Sequence, residues 1–118
     1  MMFEWLTATS TGLWRSARKS LARRLRSRVK VTAVDERPTM IRKNRLYVTV
    51  RSGKAGFGFM VCPCGCGETL HLRFFGDRHP RWSIGALKGN ATVHPSVWRT
   101  TGCRSHFVLT DGQINWCE

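Results

Sequence analysis

A chain of 118 residues with a formal net charge of +13 and five cysteines has room for one compact domain and a tail, not for several domains. The absence of any run of about 18 apolar residues excludes a transmembrane helix. The opening M-M-F-E-W-L-T-A-T-S-T-G-L-W lacks the basic start and long apolar run of a secretory leader. The expectation is a cytoplasmic protein whose thiols stay reduced, which favours metal binding over disulfides, and an odd cysteine count agrees.

The charge is uneven. Fourteen of the twenty Lys and Arg lie in residues 1–60, against Glu4, Asp35 and Glu36. Residues 13–31 read as a helix, with Leu13, Trp14, Ala17, Leu21, Leu25 and Val29 forming one apolar stripe at three- and four-residue steps. Ser10 or Thr11 is placed to cap it, and the opposite face is Arg and Lys. A basic helix of this kind is either a solvated face or a dock for a polyanion such as nucleic acid. Residues 32–44, with Pro38 and mixed charges, read as a linker, so the basic arm occupies residues 1–44.

After Asn44 the apolar period changes to two. Arg45–Arg51 alternates and is rich in β-formers. Gly58–Cys62, Thr69–Phe74, Arg81–Ile84, Ala91–His94, His106–Thr110 and Gln113–Trp116 read as further short strands. The Asp111-Gly112 pair predicts a tight hairpin between the last two. The fold expected is mainly β: a small antiparallel, zinc-stabilised β domain over residues 45–118, preceded by a basic N-terminal helix.

Residues 62–67, C-P-C-G-C-G, place three thiols within five positions. Three same-face thiols on a straight strand would span about 13 Å at roughly 3.3 Å per residue, too far to share one ion with Zn–S bonds of about 2.3 Å. The segment must therefore turn if Cys62, Cys64 and Cys66 grip one metal, and Pro63, Gly65 and Gly67 suit a tight knuckle. Cys103, after Gly102, is the best fourth ligand. Cys117, beside the last residue, ranks below it, and His71, His79 and His94 are substitutes. Four thiolates around zinc leave no open position, so such an ion is structural.

The pieces C-P-C-G-C-G-E, H-P-S-V-W and C-R-S-H-F-V-L-T-D-G-Q-I-N-W resemble a family of short bacterial proteins encoded beside ubiquitin-like conjugation genes, the BubE-like family. The resemblance covers about residues 45–117. It implies a small zinc-stabilised protein with a serine-protease activity that removes a ubiquitin-like modifier, in the manner of a deubiquitinase. It also implies two kinds of partner, that modifier and its conjugation enzymes. Residue by residue it carries over Cys62, Cys64, Cys66 and Cys103 as metal ligands, Ser96 from P-S-V, and Ser105 and His106 from the S-H pair.

The residues bear on this independently. A serine nucleophile needs a base within hydrogen-bond reach. Ser105 and His106 are adjacent, so on a strand their side chains point to opposite faces. Ser96 and His106 can meet from neighbouring strands, which makes Ser96 the preferred nucleophile and Ser105 the rival. His94 is an alternative base. No acid partner stands out: Glu68, Asp77 and Asp111 are available as a third group, although Asp111 serves its turn. The competing reading is a non-enzymatic zinc module that binds nucleic acid or a protein through its basic arm, with Ser105 and His106 merely packing around the metal.

Overall fold

The computed structural model describes residues 28–117, and most of the basic helix expected over residues 13–31 lies outside them. Nine strands follow one another: β1 (Lys30–Val34), β2 (Arg45–Arg51), β3 (Lys54–Val61), β4 (Thr69–Arg73), β5 (Ser83–Ile84), β6 (Gly89–Asn90), β7 (Val93–Trp98), β8 (His106–Thr110) and β9 (Gln113–Trp116). They form two sheets, one in the order β4-β3-β2-β1-β6 and one in the order β5-β7-β8-β9. Every pairing is antiparallel except β1 with β2, which is parallel. Among the described residues there is no helix, and so none long and apolar enough to cross a membrane.

β1 corrects the sequence reading at its boundary. The helix expected to run to residue 31 and the linker expected from residue 32 give way to a strand over Lys30–Val34. Val29 fits both periods: it continues the stripe from Leu25 at a helical step, and it opens the alternation Val29, Val31, Ala33. Burial of Val29 and Val31 in the core decides for the strand, and β-branched valines suit it. Residues 35–44 then act as the crossover that parallel neighbours require. β1, ahead of residue 45, pairs into the first sheet beside β2.

The inner faces of both sheets share one core. Leu46, Val48, Met60, Cys62, Leu70 and Leu72 come from or border the first sheet, and Val93, Val97, Phe107 and Leu109 come from the second. Val31 sits in that core, on a strand flanked by β2 and β6. Val31→Asp should therefore lower stability by about 3 kcal/mol or more, because it buries a carboxylate with no partner. The urea midpoint reads this, and an unchanged midpoint would remove β1 from the core.

The β8–β9 hairpin turns at Asp111 (φ 49°) and Gly112 (φ 76°), with Thr110 opposite Gln113. Both central residues have positive φ, as a type I′ turn requires. Gly112 has a second reason to be glycine. Its amide donates to the Ala91 carbonyl and its carbonyl accepts from Val29, both at 2.7 Å. A Cβ there would lie 2.9 Å from the Val29 carbonyl oxygen. This turn therefore ties the end of the second sheet to the strand that opens the first.

A candidate metal centre beside a serine–histidine pair

β3 ends at Val61, and the chain returns as β4 at Thr69, directly opposite it. The intervening loop carries Cys62, Cys64 and Cys66. Its neck is closed by the Cys62 amide donating to the Glu68 carbonyl at 2.8 Å, and the Gly65 amide donates back to the Cys62 carbonyl. Gly65 and Gly67 take positive φ (92° and 84°), which lets the loop curl so that successive thiols face one point. Cys103 arrives from the other sheet, in the β7–β8 loop closed by the Arg99 amide donating to the Ser105 carbonyl at 2.8 Å.

The four sulfur atoms lie within 4.8 Å of one another. Cys62 Sγ is 3.4 Å from Cys64 Sγ and 3.6 Å from Cys103 Sγ. Tetrahedral thiolates around zinc at about 2.3 Å stand about 3.8 Å apart, so four cysteines at these distances fit one metal ion. Because the ligands come from loops of two different sheets, an ion here would fasten the sheets to each other.

The four thiols are not equivalent. Burial pushes Cys62 up to about 11, whereas the Ser105 hydroxyl and backbone amide bring Cys103 down to about 6. The Ser105 hydroxyl also lowers Cys64. Ser105 is itself buried, with its Oγ 3.1 Å from Cys103 Sγ and 3.6 Å from Cys62 Sγ. Arg99 adds a cation: its Nη1 lies 3.3 Å from Cys103 Sγ and 3.7 Å from Cys66 Sγ, and it pairs with Glu68. The Glu68 hydrogen bond raises its pKa still further above the usual guanidinium range. A charged donor on two sulfurs offsets the negative charge that four thiolates would concentrate around one ion. Sequence reasoning missed Arg99, for which the only signal is its place four residues before Cys103.

Ser96 is reached by a different device. Four steps along β7, from Val93 to Val97, face only two along β8, from Leu109 to Phe107. The excess residues bulge, and His94, Pro95 and Ser96 occupy the bulge, with a cis peptide between His94 and Pro95. Bulges re-aim side chains, and this one sets Ser96 Oγ 2.9 Å from His106 Nε2. The Trp82 indole N–H donates to the Ser96 carbonyl at 3.2 Å and holds the bulge from behind. His106 opens β8 opposite Trp98, whose indole stacks on it with centroids 5.1 Å apart and planes 21° apart.

The remaining candidates lie elsewhere. Ser105 and His106 point to opposite faces, Ser105 toward the sulfurs and His106 toward Ser96. His71 packs against Phe59 on the first sheet. His79, His94 and Asp77 line a pocket of about 650 Å³ that also borders Trp82 and Pro95, beside the Ser96 bulge. Cys117 lies beside His106, its amide donating to the His106 carbonyl, and is not part of the cysteine cluster. Of the acids, Glu68 is engaged by Arg99, and Asp111 accepts from Asn90 at 3.0 Å and pairs with Arg28.

No curated protein and no solved structure matches the chain. The family model for BubE, the serine protease of a bacterial ubiquitination-like system, matches residues 33–117, nearly the whole of the described β domain, and the chain belongs to that family.

Proposed function

We propose that this protein is a deubiquitinase-like serine peptidase that cleaves the bond at the C-terminus of a ubiquitin-like protein, freeing it from its precursor or its conjugates. Ser96 is the nucleophile, His106 the base, and Cys62, Cys64, Cys66 and Cys103 hold a structural zinc. The observation that carries the reading is the 2.9 Å contact between Ser96 Oγ and His106 Nε2, on a bulge that presents the hydroxyl.

In this mechanism neutral His106, protonated on Nδ1, accepts the Ser96 proton on Nε2 as Oγ attacks the scissile carbonyl. The imidazolium returns that proton to the leaving amine, which leaves an acyl ester on Ser96. Water, deprotonated by His106, then hydrolyses the ester and restores the hydroxyl. Cys62, Cys64, Cys66 and Cys103 would hold the zinc with no open position, so it would act structurally, fixing the β7–β8 loop between the nucleophile and the base.

The partners on this reading are the ubiquitin-like protein and its conjugation enzymes, in the reducing cytoplasm. The β domain begins near β1, and the basic residues ahead of it form an arm that docks a partner. The other reading, a zinc module that binds nucleic acid or a protein partner without catalysis, rests on the net charge of +13 and on the lack, among the described residues, of an acid paired with His106. A fusion of the cognate modifier to a reporter separates the two. Wild type should release the reporter and the Ser96→Ala variant should not. Equal release by both would refute the serine mechanism, and no release by wild type would leave the binding module standing.

A further inference from the structure

The base of a serine hydrolase must keep its ring in one orientation while protons pass through it. The usual device is a carboxylate on the far ring nitrogen. Here, of the three acids that sequence analysis singled out, Glu68 and Asp111 are engaged by other side chains, and among the described residues no hydrogen bond or ion pair joins Asp77 to His106. Among the described residues, Trp98 stacks on the His106 ring whose Nε2 meets Ser96.

Trp98 is 63% exposed, an unusual position for the largest apolar side chain, so its own burial does not account for its conformation. It stands directly opposite His106 across the β7–β8 ladder, and the two rings are nearly parallel. Ser96 meets the imidazole at its edge, and the indole covers one face. A flat partner on that face resists rotation about the Cβ–Cγ bond, the motion that would carry Nε2 away from Ser96.

We propose that Trp98 is the positioning residue for His106, performing by stacking the orienting task that a carboxylate performs elsewhere. This rests on the serine–histidine reading given above. The stack also acts on charge. Once His106 has taken the Ser96 proton, the ring is a cation lying against an electron-rich indole face, and that attraction is stronger than for the neutral ring. An interaction that strengthens as the proton moves lowers the barrier and appears in kcat rather than in KM. Trp98 needs no contact with the substrate for this.

The test uses the full metal-loaded chain and a modifier–reporter fusion, with kcat and KM measured separately for wild type, Trp98→Ala and Trp98→Phe. Trp98 is exposed, so both variants should fold and keep their metal, and metal content verifies this. Trp98→Ala should lose about tenfold in kcat with KM changed less than about twofold, and Trp98→Phe, which restores an aromatic face, should recover most of the loss. An unchanged kcat in Trp98→Ala would overturn the proposal. So would a rise confined to KM, which would make Trp98 a substrate contact. Failure of the underlying reading looks different: wild type would be no more active than Ser96→Ala, and the positioning role would fall with it.

Discussion

Ser96→Ala should reduce cleavage of a modifier fusion by about three orders of magnitude or more, with the metal retained and the fold intact. Without Oγ no acyl ester forms, and the residual rate is what substrate binding alone provides. His106→Ala should cost about as much, because the hydroxyl then has no proton acceptor. The double variant should be little worse than either single one, since the two side chains act as one unit and their losses do not add. Ser105→Ala provides the contrast. Its hydroxyl lies on the sulfurs of Cys103 and Cys62, so its loss should weaken metal affinity about 10- to 100-fold while metal-saturated protein keeps its cleavage rate. The order of effects, Ser96 on catalysis and Ser105 on metal, separates two serines that sequence alone leaves as rivals.

Cys103→Ser should cost the protein both its metal and its fold. Cys103 is exposed, so the substitution opens no cavity and removes little packing. What it removes is the one ligand from the second sheet. A structural zinc contributes on the order of 10 kcal/mol or more to a small domain, against a total stability of about 5–15 kcal/mol. Loss of the ion should therefore leave the two sheets without enough to hold them together. Cys117→Ser should keep metal and fold, because that thiol lies outside the cluster. Metal content and the thermal midpoint, measured on protein purified without added zinc, check both. Fully folded wild-type protein with no metal would contradict this account.

The strands that alternate cleanly were legible. Leu46 and Val48 face the core from β2, and Phe107 and Leu109 face it from β8, as period-two patterning requires. The hairpin at Asp111-Gly112 was legible because only certain residues tolerate its dihedral angles. β1 was not, because Val29 satisfies a helical and an extended period equally and only the tertiary partner decides. β7 runs from Val93 to Trp98, displaced from the alternation over residues 91–94: Pro95 looks like a strand terminator, yet a bulge accommodates it.

At the site, Cys62, Cys64 and Cys66 could be read from local density, since three thiols in five positions demand a shared partner, whereas Cys103 joins them only through the packing of the two sheets. The 2.9 Å approach of Ser96 to His106 depends on a register shift that no local pattern encodes. Arg99 and Trp98 gain their roles only from the neighbours that strand pairing supplies, the sulfurs for one and the imidazole for the other.

The central claim, that Ser96 is the activated nucleophile, is tested most directly by locating the adduct of a fluorophosphonate probe. Trypsin cleaves after Lys88, Arg99 and Arg104, so Ser96 is the only serine in peptide 89–99 and Ser105 lies in a separate peptide that begins at residue 105. Metal-loaded wild type should carry one adduct, on peptide 89–99, and His106→Ala should carry none. An adduct on the peptide that begins at Ser105, or no adduct on folded, metal-loaded wild type, would contradict the account.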